Sequence, residues 1–272
     1  MRGVGRRFSI GGPWVLRGID LELPEAALVR VGGPNGAGKS TLLRLITGTD
    51  APTEGRVTGR PRTAYVPERF PAALPFTAAG YLTHLGRVHG LSRRAAKERA
   101  GHWLERFGAA AYAGTGLAEL SKGTSQKVAV AQALLAAPEL LVLDEAWTGL
   151  DTAARAELDR AVRERVAAGA TVVFVDHDPA RLAGHEDARY TVAGAGLHPA
   201  PLSGDPKPSG ALVLLDITGT GPLPPQLPGS PKELSGPDGS RTLSVAAEHS
   251  DDLLRALLAA RPPWHIRGVR PA

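Results

Sequence analysis

The stretch GGPNGAGKST, Gly32 to Thr41, constrains the fold more than any other segment of the chain. It follows a short apolar run, Ala27 to Val31, and precedes LLRLITG, a helical pattern closed by Gly48. The local order is therefore strand, loop, helix. Glycines in such a loop let successive backbone N–H groups curl around an oligophosphate, and the positive end of the next helix favours the same anion. Within the pattern G-x-x-x-x-G-K-S, residues Gly33, Pro34, Asn35, Gly36, Ala37 and Gly38 form the cradle, and Thr41 follows it. Lys39 reaches the terminal phosphates, and the Ser40 hydroxyl is placed to ligate magnesium.

The surrounding pattern extends that unit into a sheet. WVLRGIDLEL, Trp14 to Leu23, alternates apolar and polar residues and predicts a strand with one wet face. TEGRVTGRPRTAYVPE predicts two more short strands separated by turn residues. From about Thr77 to Ala137 apolar residues recur at three- and four-residue steps, as in YLTHLGRVHGL and AAKERAGHWLERFG, which predicts helices. LLVLD and TVVFV are continuous apolar runs on either side of the amphipathic TAARAELDRAVRERVAAG. Strands alternating with helices predict an α/β fold with a mainly parallel sheet covered on both faces, the helical block being an insertion.

Near Leu197 the composition changes. Ten prolines lie between Pro199 and Pro237, which predicts linker and turns over 199–210. Beyond it ALVLLDITG, RTLSVAAEHS, DDLLRALLAARPP and WHIRGVRP predict a small β–β–α–β extension over 211–272. Its length is marginal for independent stability, so it is expected to dock on the main domain. The 272-residue chain has no cysteine, which excludes disulfides and thiolate chemistry. No apolar run is long enough to span a bilayer and the N-terminus lacks a secretory core, so the chain reads as cytoplasmic. Its net charge of +5 permits contact with nucleic acid or an anionic membrane, but the basic residues are spread along the chain.

Three further features carry chemistry. LLVLDE ends an apolar strand in Asp144, suited to hold a metal, and Glu145, suited to polarise a water. An acidic helix cap is the plainer reading of that pair taken by itself. His177 follows VVFVD and could touch a terminal phosphate; a lone histidine at a strand end could equally be structural. AELSKGTSQK holds a second small-residue loop, with Ser121, Lys122, Gly123 and Thr124, that opens a helix. A helix start presents free N–H groups to an anion.

Together these motifs, in this order, resemble those of the nucleotide-binding subunit of ATP-binding cassette (ABC) transporters, over about residues 8 to 198. GPNGAGKST resembles the Walker A motif, LSKGTSQ the family signature, LLVLDE the Walker B motif, TGLD with Asp151 the D-loop, and His177 the switch histidine. The resemblance implies a P-loop NTPase core, an antiparallel β edge subdomain and an α-helical subdomain over about 75–137. It implies ATP and Mg2+ as cofactors, with Lys39, Glu145 and His177 catalytic and Ser40 and Asp144 at the metal. Where the family places a Q-loop glutamine this chain has Glu68, which can also ligate magnesium. Phe8 is the expected adenine-stacking aromatic, with Trp14 as alternative. Ala146 and Trp147 stand where the family often has proline, a change expected to affect packing.

The function implied is an ATPase subunit driving a separate integral membrane permease from the inner face of the membrane. Two such subunits, identical or homologous, would sandwich ATP, with Ser121 and Gly123 facing the nucleotide held by the partner's Lys39. The YVPE and SKG variants and the tail after Leu197 resemble exporters, so export is expected. The alternative is a soluble cassette acting on ribosomes or nucleic acid, which the basic pI alone favours; no nucleic-acid partner is expected.

Overall fold

The computed structural model describes residues 1–59, 61–68, 70, 74–202, 212–219, 223–224, 227–235, 241–246, 249–260 and 264–271. The chain forms two compact units, Met1–Ser203 and Gly204–Ala272.

In the first unit, strands β3 (Leu28–Gly32), β5 (Thr63–Val66), β6 (Leu140–Asp144), β7 (Thr171–Val175), β8 (Ala188–Ala193) and β9 (Gly196–Pro199) form one sheet in the order β5-β6-β7-β3-β8-β9. Pairing is parallel from β5 to β8, and only β9 runs antiparallel. Every residue of β6 and β7 is buried, as continuous apolar runs in a sheet covered on both faces require. Strand alternation divides their side chains between two cores. Leu28, Leu141, Leu143, Val172 and Phe174 join one, and Val29, Val31, Val142, Val173 and Val175 join the other. Helix α1 (Lys39–Thr47) contributes Leu42, Leu43 and Leu45 to the second core. Helices α2 (Ala78–Val88), α3 (Arg93–Arg106), α4 (Lys122–Leu135) and α5 (Thr152–Ala167) contribute to the first.

A separate antiparallel sheet, β2-β1-β4, comprises β1 (Arg2–Arg6), β2 (Leu16–Ile19) and β4 (Glu54–Arg56). Here the structure corrects the sequence reading. The predicted strand over Trp14–Leu23 shortens to four residues, with Leu16 and Ile19 buried and Arg17 and Gly18 exposed, so the alternation does not continue. β1, RGVGR, has no strand-like pattern, and its pairing with β2 and β4 forms it.

Among the described residues, the second unit has a four-stranded antiparallel sheet in the order β11-β12-β10-β13 and one helix. Its elements are β10 (Leu212–Thr218), β11 (Lys232–Ser235), β12 (Arg241–Ala246), α6 (Ser250–Ala259) and β13 (His265–Pro271). Leu215, Ile217, Leu243, Val245, Leu253, Leu257 and Trp264 form its core. The predicted β–β–α–β unit lacked β11, whose sequence KELS is short and polar and which pairs with β12 alone among the described strands. Most of the predicted linker, from residue 203 on, lies outside the described residues.

The helical insertion packs closely enough to be tested at one glycine. A Cβ on Gly86 of α2 would stand 2.8 Å from the Ala96 Cβ of α3 and 3.0 Å from Leu135 Cδ2 of α4. Alanine there gains about 1 kcal/mol of helix propensity, whereas overpacking costs roughly 1–3 kcal/mol. Ala96 is fully buried and its Cβ is fixed to the backbone, so the steric cost dominates. Gly86→Ala is therefore expected to lower stability by about 1 kcal/mol in denaturant melts; a more stable variant would show that α2 and α3 have slack.

Candidate nucleotide site

The loop from Gly33 to Gly38 links β3 to α1. Gly33 has φ +135°, and a Cβ on it would stand 2.5 Å from the Val192 carbonyl oxygen. The backbone thus passes where no side chain fits. Lys39, nearly buried, donates from Nζ to the carbonyls of Gly33 and Pro34, both at 2.9 Å. Its ammonium therefore lies against the loop it is to serve.

An open cleft of about 510 Å³ is lined by Phe8, Val15, Asn35, Gly36, Gly38, Lys39, Ser40, Thr41, Glu68, Glu145 and His177. That volume lies in the range of small-ligand sites. Phe8, 61% exposed, stands on its wall, with the Arg6 guanidinium 4.9 Å from the ring centroid. Trp14, the alternative aromatic, lies between Arg7 and Arg17 at 4.9 and 5.1 Å.

Asp144 ends β6 with 2% exposure. Burial pushes its carboxyl above the ordinary carboxylate range and Glu68 adds to that, while hydrogen bonds from Ser40 and Tyr65 and the charge of Arg44 pull the other way. Tyr65 donates to Asp144 Oδ2 at 3.1 Å, and its own hydroxyl is pushed upward by burial and by that carboxylate. Sequence reasoning missed Tyr65; its signal was a hydroxyl in the strand that pairs in register with β6. A buried anion beside the Ser40 hydroxyl and the Glu68 carboxylate is a donor set that fits a hard divalent cation.

Glu145 has φ +53°, a conformation uncommon outside glycine. Its N–H donates to the Val175 carbonyl at 3.0 Å, which draws the turn toward the end of β7. His177 follows that same strand, and its Nε2 lies 2.7 Å from Glu145 Oε1. Ala146 and Trp147 are buried; Trp147 packs edge-on against Phe174 and donates to Asp159 Oδ1 at 2.8 Å.

The second loop does not line this cleft. Ser121 is the N-cap of α4: its Oγ accepts from Thr124 N–H at 3.2 Å and lies 2.9 Å from Thr124 Oγ1. The helix begins at Lys122, so Lys122, Gly123 and Thr124, read from the sequence as loop, form its first turn. Ser121 and Lys122 are exposed, Gly123 is half-buried and Thr124 is buried. A Cβ on Gly123 would meet the Gly149 carbonyl oxygen at 2.9 Å, so this loop packs on the D-loop segment. Gln126 Nε2 donates to the Ala146 carbonyl at 3.0 Å, and Lys127 Nζ pairs with Asp151 Oδ2 at 2.6 Å. Asp151 also caps α5 through Ala154 N–H, and Lys127 holds its carboxyl below the ordinary range. Neither Gln126 nor Lys127 was singled out in the sequence, because their partners lie more than a helix length away along the chain.

Fold and cleft together define a P-loop nucleotide-binding protein. The ABC transporter family model matches residues 16–148. The zinc import ATP-binding protein ZnuC of Cereibacter sphaeroides is 41% identical over 169 residues, 60% of this chain and 67% of that protein. An uncharacterized ABC transporter ATP-binding protein of Bacillus subtilis, YhaQ, is 37% identical over 59% of this chain, which spans only 57% of that relative. Among solved structures, an ATP-binding subunit of an ABC transporter superposes with a TM-score of 0.66 at 26% identity, covering 72% of this chain and 86% of that one. An ATP-binding cassette solved as a dimer after hydrolysis, with ADP and phosphate bound, gives 0.67 at 23% identity, covering 75% and 98%. The chain belongs to the ABC transporter family, as an ATP-binding subunit of the ATPase class. The export expected from the sequence runs against the comparisons: the zinc relative, and a 37% identical sulfonate relative from Mesorhizobium japonicum, carry import names. Among the described residues no helix is long and apolar enough to cross a membrane.

The buried carboxylate gives a pH prediction. A carboxyl with a higher pKa in the folded chain than in the unfolded chain binds more protons when folded, so stability falls as pH rises through the raised value. Asp144→Asn removes that loss. The nucleotide-free variant is expected to melt above the wild type near about pH 7, with the gain shrinking on acidification. A variant that melts lower than wild type at neutral pH would contradict this.

Proposed function

We propose that this chain is the ATP-hydrolysing subunit that powers a membrane permease made of separate chains. Two copies close on ATP, each nucleotide lying between the Gly33–Thr41 loop of one copy and the Ser121–Thr124 loop of the other. The observation that carries this reading is the split of the two loops. The cleft gathers Phe8, the phosphate loop, Glu68, Glu145 and His177, while Ser121 and Lys122 stand exposed outside it. A second loop suited to an anion and exposed outside the cleft is accounted for if another copy brings a nucleotide to it. The nucleotide-binding domain is assigned to 1–198, with its helical subdomain at about 75–137. Residues 199–210 serve as linker and 211–272 as an accessory domain outside the family match.

The chain's own groups divide the work. Backbone N–H groups of the Gly33–Gly38 loop and the Lys39 ammonium bind and orient the phosphates. Ser40, Asp144 and Glu68 would hold Mg2+, which when bound offsets phosphate charge. Glu145 accepts the proton of the attacking water, and His177, hydrogen-bonded to Glu145, holds that carboxylate in line. Phe8 offers its exposed ring to the base. A groove lined by Glu68, Phe70, Leu120, Lys122, Ser125, Gln126 and Thr148 borders both the cleft and the signature helix, which suits it to pass closure on to the permease.

Replacing the base while keeping its shape tests the assignment. Glu145→Gln is expected to keep ATP affinity while turnover falls by about 100-fold or more, measured as phosphate release by the purified full-length chain. Turnover at the wild-type rate would remove Glu145 from the chemistry.

A further inference from the structure

β3 delivers the phosphate loop, and its alternation places Leu28 in one apolar core and Val29 and Val31 in the other. Arg30 stands on the Leu28 side, where that alternation calls for an apolar residue. It is 4% exposed and its guanidinium lies 5.3 Å from the Phe174 ring centroid. Nη1 pairs with Glu186 Oε1 at 3.3 Å, and the Glu186 side chain is fully buried. A buried ion pair of this kind is a poor source of stability, because desolvating both charges offsets their attraction.

The rest of the guanidinium accounts for its presence. Nη2 donates to the carbonyls of Asp176 at 3.2 Å and Asp178 at 2.7 Å. Nη1 donates to those of Pro179 at 3.2 Å and Arg181 at 3.0 Å. All four carbonyls belong to the loop after β7, and two of them flank His177. One planar cation therefore ties the strand that carries the phosphate loop to the loop that carries the switch histidine. A lysine could keep the charge beside Glu186 but lacks the flat fork that spans several carbonyls.

We propose that Arg30 is the positioning residue for His177, fixing the 176–181 loop so that the imidazole stays in hydrogen-bond range of Glu145. The proposal rests on the catalytic reading of His177 given above. Misplacing a reacting group by about 1 Å can cost on the order of 100-fold in rate, so a loosened loop should show in kcat before it shows in binding.

The test uses the purified full-length chain. Arg30→Lys is expected to lower kcat by about tenfold with ATP affinity unchanged, and to speed amide hydrogen exchange over 176–181 without changing it in β3 or β7. In a His177→Ala background Arg30→Lys should lower turnover no further, since both changes act through one group. If Arg30→Lys does not fold, the charge-neutral pair Arg30→Gln with Glu186→Gln is held to the same criteria. Wild-type kcat with Arg30 replaced, while His177→Ala is impaired, would overturn the role of Arg30 alone. Loss of ATP affinity together with faster exchange across the whole sheet would also overturn it, as the mark of a purely structural residue. Wild-type turnover by His177→Ala would instead overturn the reading beneath it.

Discussion

Parallel pairing of β5, β6, β7 and β3 is the constraint on which the site depends. Parallel strands end together, so the segments that follow them must share one edge of the sheet. That edge receives Glu68 after β5, Asp144 and Glu145 at the end of β6, His177 after β7 and the phosphate loop after β3. Residues more than 140 positions apart in sequence thereby line one cleft. Burial of β6 and β7 on both faces keeps these ends fixed, and that rigidity is what a reaction stabilised mainly by positioning and electrostatics needs.

The site holds costs that the scaffold absorbs. Asp144 is a carboxylate taken almost wholly out of water, and Glu145 occupies a backbone region that costs on the order of 1 kcal/mol. Both lie where the apolar run of β6 stops, so a strand buried along its whole length also presents the least comfortable groups. Tyr65 and Ser40 offset part of the first cost through hydrogen bonds. The hydrogen bond from Glu145 N–H to the Val175 carbonyl offsets part of the second.

How much of this was legible depended on whether the signal was local. The Gly33–Ser40 loop, the apolar runs of β6 and β7, and Asp144 with Glu145 could be read directly, because spacing and residue type within a few positions define them. β1 and β11 could not, since RGVGR and KELS become strands only by pairing with distant segments. Ser121 read as part of a loop facing an anion; that its side chain caps its own helix shows only once the helix start is known. Tyr65, Gln126 and Lys127 act on groups 79, 20 and 24 residues away, so no local pattern marks them. Arg30 did leave a trace, a charge inside an otherwise apolar strand, and only the fold shows which carbonyls it meets.

The central claim is that each nucleotide is served by the phosphate loop of one copy and the signature loop of another. Mixing two disabled chains tests it directly. Lys39→Ala disables the first loop and Ser121→Arg the second, and each variant alone should be inactive. In the mixed dimer, the intact Lys39 of one chain meets the intact Ser121 of the other at one of two sites. ATP turnover by the equimolar mixture is therefore predicted to rise well above the sum of the two variants measured separately. A mixture no more active than that sum, with Ser121→Arg also failing to bind ATP on its own, would mean that both loops serve a single nucleotide within one chain.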